Sequence, residues 1–104
     1  MSQPIPPEEP IKLQLYLYGA TTPNSILALN NLEAIRRTQP PGRLQIEVID
    51  ISASPFKALA DGILVTPTLV KLSPIPTVQI IGNLSETSIV LKALGLSPTR
   101  DEDG

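Results

Sequence analysis

Alternation is the first pattern in the chain. From Ile11 to Tyr18 the apolar Ile11, Leu13, Leu15 and Leu17 take every second position, with Lys12, Gln14, Tyr16 and Tyr18 between them. That period belongs to a strand, and Gly19 ends it. Tyr16 and Tyr18 share the second face and are expected to pack under a helix rather than to stack on a ligand. Thr22-Pro23 follows, an N-cap residue with Pro at the first helical position, where the missing N–H costs nothing. Ile26, Leu27, Leu29, Leu32 and Ile35 then give a helical stripe, with Glu33, Arg36 and Arg37 off it. Pro40-Pro41-Gly42 stops the helix. Leu44, Ile46 and Val48, joined by Ile49 and Ile51, predict a strand over 44–51 whose near-continuous apolar end suits a parallel neighbour. Strand, helix and strand in so short a span make a βαβ unit.

The second half changes rhythm. Ser54-Pro55 repeats the cap-and-proline signal for a short helix over 56–61, with Gly62 as its left-handed terminator. The run from Ile63 to Leu72 is rich in β-branched residues but contains Pro67. A helix across it would lose a hydrogen bond and clash, at a cost of roughly 3 kcal/mol, whereas a strand opening at or just after Pro67 avoids both. Ser73-Pro74-Ile75-Pro76 predicts a turn and 77–81 the second strand of a hairpin. Ser85 then caps a last helix carrying Ile89, Val90, Ala93 and Leu94, closed by Gly95. The order β-α-β-α-β-β-α is the arrangement of a thioredoxin-like α/β fold. Its four-stranded mixed sheet would run 2-1-3-4, with the 44–51 strand on one edge. In such folds a Pro at the head of the third strand is commonly cis, so the arrangement implies a cis Thr66–Pro67 bond. Residues 1–10, with four prolines and two glutamates, and the polar residues 97–104 are expected to be disordered flanks of one domain over 11–96.

Composition narrows the chemistry. The 104 residues contain no Cys and no His. Thiol exchange, cysteine nucleophiles, zinc fingers and Ser-His-Asp hydrolysis are therefore excluded. No cofactor is expected. The loop after the first strand, where a redox thioredoxin carries Cys-x-x-Cys, reads Gly19-Ala20-Thr21-Thr22-Pro23-Asn24. Asp50 and Asp61 lack a second carboxylate or a His nearby in sequence, and Asp50 reads as a strand-end turn former. Between residues 11 and 99 there are seven Lys or Arg against five Asp or Glu, too weak an excess for a nucleic-acid footprint. No apolar run reaches membrane-spanning length, and the start has neither a basic n-region nor an apolar h-region, so a cytoplasmic protein is expected.

Several separated motifs, in order, resemble the KaiB family of cyanobacterial circadian-clock proteins. They are Leu15-Tyr16-Leu17-Tyr18-Gly19-Ala20-Thr21-Thr22-Pro23-Asn24-Ser25, Ala28-Leu29 and Val48-Ile49-Asp50-Ile51, then 63–71 and Ile80-Ile81-Gly82-Asn83-Leu84-Ser85. The resemblance implies a non-enzymatic regulator that binds the ATPase ring of a KaiC-type protein and modulates its phosphorylation state, with KaiA as a further partner. It also implies two folds, a tetrameric ground state and a monomeric thioredoxin-like state that does the binding. Pro74-Ile75-Pro76 stands where the family has a proline triplet, Val78-Gln79 where it has an arginine pair, and Asn83 where it has Asp. The family's extended acidic C-terminal segment is reduced to a short tail. Val78 favours a strand, and local preference over 63–94 agrees with one fold, so the thioredoxin-like monomer is the expected resting state. The docking surface is expected at the edge strand and the short helix after it, at Ile49, Asp50, Ile51, Ser52, Ser54, Phe56 and Lys57. Two other readings compete. One is a divergent adaptor for a partner outside the clock, in stress or signalling. The other is a glutathione-dependent transferase using Thr21, Thr22 or Thr66, for which one small domain leaves no room.

Overall fold

A single strand organises the protein. In the computed structural model, which describes residues 9–96, β1 (Ile11–Leu17) lies inside the sheet and feeds a core on each of its faces. It pairs in parallel with β2 (Leu44–Asp50), from Ile11 opposite Leu44 to Leu17 opposite Asp50. On its other side it runs antiparallel to β3 (Thr68–Ser73), from Tyr16 opposite Thr68 to Lys12 opposite Ser73, with a bulge between Lys12 and Leu13. β3 and β4 (Val78–Ile81) form the hairpin. The sheet is mixed, in the order β2-β1-β3-β4, so β2 and β4 are its edges. The expectations for residues 1–8 and 97–104 lie outside the described residues.

The period of β1 decides what goes where. Ile11, Leu13, Leu15 and Leu17 face the larger core, under α1 (Pro23–Arg37) and α3 (Thr87–Leu94). There they meet Ala28, Leu32 and Ile35 from α1 and Val90, Leu91 and Leu94 from α3. Tyr16 faces the other way, into a smaller cluster with Ile49, Ala58, Ile63 and Val70 beneath α2 (Pro55–Ala60). Ile51 continues the parallel pairing one residue beyond β2, its amide donating to the Leu17 carbonyl at 2.8 Å.

Four local expectations are corrected. The buried line of α1 is Ser25, Ala28, Leu32 and Ile35, while Ile26 and Leu27 are exposed. Small residues in the first two turns face the sheet, and Ile26 and Leu27 lie off that i, i+3, i+7 line. Tyr18 does not pack with Tyr16: the strand ends at Leu17, Gly19 turns the chain at φ +82°, and Tyr18 is 62% exposed. Ser85 does not cap α3. Its amide is taken by Asn83 Oδ1 at 3.1 Å, and Glu86 holds the N-cap position instead. Thr22 and Ser54 do stand at the N-caps of α1 and α2 with Pro following, but neither hydroxyl bonds a helix amide. The bonds Thr66–Pro67, Ser73–Pro74 and Ile75–Pro76 are cis, and β3 begins at Thr68, directly after Pro67.

Candidate partner-binding surface

The edge strand β2 and the short helix α2 meet at a turn built on Asp50. Its Oδ1 accepts three hydrogen bonds: from the Ser52 hydroxyl at 2.6 Å, the Ser52 amide at 3.0 Å and the Gly19 amide at 3.0 Å. The Ser52 hydroxyl, and after it the Gly19 amide, hold the carboxyl below its ordinary range. Asp50 is thus a turn former that ties the loop after β1 to the turn before α2.

A second carboxylate closes the other end of α2. Tyr16 donates its hydroxyl to Asp61 Oδ2, and Lys57 Nζ lies 3.2 Å from the same oxygen. Burial of the Tyr16 ring, followed by the hydrogen bond to Asp61, pushes the phenol well up. The Tyr16 hydroxyl, then Lys57, pull the Asp61 carboxyl down. The two residues are 45 positions apart.

The residues expected to dock fall into two groups. Ile49 is buried beneath α2 and Ile51 is half-buried, so what Ile49 offers at the edge is backbone. Asp50 is committed to its turn. Ser52, Ser54, Phe56 and Lys57 are exposed, and Phe56 is 81% so. The structure adds three exposed apolar residues that sequence reasoning passed over, Leu59 in α2 and Leu64 and Val65 in the segment after it. The signal that could have found them is in α2 itself. Ala58 is its buried side chain, so Phe56 and Leu59 are left on outer positions, and the chain passes Gly62 with Ile63 turned in and Leu64 out.

Between residues 51 and 67 the charged residues are Lys57 and Asp61, and they pair with each other. On the opposite face of the β2 edge, Leu29, Leu32, Leu44, Ile46 and Val48 line most of a groove of about 360 Å³ between α1 and the strand. Among the described residues no three His, Cys, Asp or Glu come together as a metal set, and no helix is long and apolar enough to cross a membrane. In the loop at 19–24, the Thr22 hydroxyl is engaged with Ser25 Oγ at 2.8 Å.

A KaiB domain matches residues 14–96. The chain belongs to the KaiB family. It is 46% identical over 84 residues to the circadian clock oscillator protein KaiB of Prochlorococcus marinus, covering 81% of this chain and 78% of that one. The KaiB of Synechococcus elongatus is 42% identical over 90 residues, covering 86% and 87%. Among solved structures, the N-terminal domain of Synechococcus elongatus SasA superposes with a TM-score of 0.68 at 22% identity, over 91% of this chain and 92% of that one. A thioredoxin variant from Halobacterium salinarum reaches 0.61 at 16% identity, over 85% and 78%. The thioredoxin-like architecture read from element order is therefore the observed one. A KaiB chain carries it here without a cysteine at the loop after β1.

Proposed function

We propose that this KaiB-family protein is a non-enzymatic regulator of a circadian clock. In this reading it docks on the ATPase ring of a KaiC-type protein and thereby shifts that protein's phosphorylation state. The observation that carries the reading is the end of the molecule at β2 and α2. There the unpaired edge of β2 leads into α2, whose outer positions carry exposed Phe56 and Leu59, with Leu64 and Val65 exposed in the segment that follows and Lys57 and Asp61 paired with each other. An edge strand recruits a partner through its free backbone groups, and apolar anchors beside it supply affinity. The groove between α1 and β2 offers seats for alternate side chains of an added strand, and KaiA is a further partner in this reading. In this reading the protein acts as a monomer, which leaves the β2 edge free to bind, and it works in the cytoplasm.

The test is titration of the full chain against a KaiC hexamer with ATP, read by native mass spectrometry. A complex is expected at micromolar protein, weakened by Phe56→Ala. Absence of any complex at tens of micromolar would overturn the reading and leave an adaptor for another partner as the better one.

A further inference from the structure

Helix α2 is held by little. It has six residues, well under the roughly 12–15 at which a helix is stable alone. Its buried side chain is Ala58, a single methyl group. Its pose must come from what grips its ends. The preceding turn is fixed by Asp50. The following residue, Asp61, reaches down to Tyr16, whose ring is 1% exposed among Ile49, Ala58, Ile63 and Val70. The Tyr16 hydroxyl also lies 2.9 Å from Gln14 Oε1. It has one proton, and a carboxylate is a stronger acceptor than an amide oxygen, so the strong bond runs to Asp61 and hence to α2.

We propose that Tyr16 is the positioning residue of the docking face. Through Asp61 its hydroxyl sets the pose of α2 and with it the presentation of Phe56, Leu59 and Leu64. This rests on the docking reading above. Tyr16 itself never touches the partner, since its ring is sealed in the core. Without the hydroxyl, Asp61 keeps only the surface pair with Lys57. The segment after Ala58 then opens more often, and the fraction of molecules with a competent face falls. Apparent affinity falls with that fraction.

Tyr16→Phe in the full chain tests this, because it keeps the ring and removes one oxygen. Hydrogen exchange reads the pose at the amides of Asp61, Gly62 and Ile63, which donate to the carbonyls of Lys57, Leu59 and Ala58 at 3.0, 3.1 and 2.9 Å. Exchange there should quicken by about tenfold, with β1 and β3 amides unchanged. Affinity for the KaiC-type ring should weaken by about threefold to tenfold, with the loss in the association rate. Asp61→Ala, which removes the acceptor, should reproduce both effects, and the double variant should add little to either; an anchor of the fold alone would show the exchange effect without the loss of affinity. Asp61→Ala also carries the test alone if Tyr16→Phe does not fold. Unchanged exchange at the three amides overturns the proposal. So does faster exchange with unchanged affinity, provided Phe56→Ala does weaken binding. If the unaltered chain fails to bind the ring, the docking reading falls and this role with it, and exchange then shows Tyr16 to be an anchor of the fold alone.

Discussion

Phe56 is a large aromatic residue that the fold barely uses, and replacing it with Ala separates stability from binding. The side chain is 81% exposed, so about a fifth of its surface is covered. Full burial of a Phe is worth about 1.5–3 kcal/mol, and a fifth of that is about 0.3–0.6 kcal/mol. Ala recovers about 0.5 kcal/mol through its helix propensity at a position inside α2. The two effects offset, so Phe56→Ala should leave stability within about 0.5 kcal/mol and the thermal midpoint within about 3 °C. Binding should behave differently. An aromatic anchor buried at an interface costs about 1–2 kcal/mol or more on truncation, which is about tenfold or more in affinity. Thermal unfolding by circular dichroism and titration against the ATPase ring, on the same preparation, measure both. A midpoint lowered by 8 °C or more would show that Phe56 is packed in the core. An unchanged affinity at unchanged stability would remove α2 from the docking surface.

Other outcomes follow from the same geometry. Leu15→Ala empties a site with 0% exposure between α1, α3 and the middle of the sheet, and urea unfolding should show a loss of about 2–5 kcal/mol. Asp50→Ala strips the acceptor from the amides of Gly19 and Ser52. It should lower the midpoint in the same assay, with faster amide exchange at Ser52. Asn31→Ala removes the 2.8 Å bond from its side-chain amide to the Asn83 carbonyl and should cost about 1 kcal/mol, loosening the connection between β4 and α3. In pH titration, Asp50 and Asp61 have depressed folded values, so their stabilising contribution is complete above the unfolded value near 4 and is lost as pH falls through the depressed ones. Tyr16 is raised, so its contribution is complete below the unfolded value near 10 and fades as pH rises beyond it. Stability should therefore be flat between about pH 5 and 9 and fall on both sides. A slope near neutrality would contradict this.

The element order was legible because its signals are local. Period-two alternation in β1 and the prolines at the head of α1, α2 and β3 each act within a few residues. Asp50 was legible as a turn former for the same reason, since its Ser52 partners are two positions away. The bond from Tyr16 to Asp61 was not, because nothing within either segment announces a partner 45 residues off. The rotation of α1 was missed because burial followed closeness rather than hydrophobicity. Ser25 and Ala28 face the sheet because they are small, and the larger Ile26 and Leu27 were left outside. The exposed Leu59, Leu64 and Val65 were missed because isolated apolar residues read as core unless the structure shows what remains uncovered.

β1 commits nearly every position: Ile11, Leu13, Leu15, Tyr16 and Leu17 are all buried, four against one pair of helices and one against α2. A strand used on both faces has little room to drift, since a change on either side disturbs a core. The outer positions of α2 carry no such obligation. Phe56 and Leu59 can change at almost no cost to folding, and in the proposed complex they stand against the partner. Recognition in this chain can thus be rewritten over generations while the scaffold beneath stays the same.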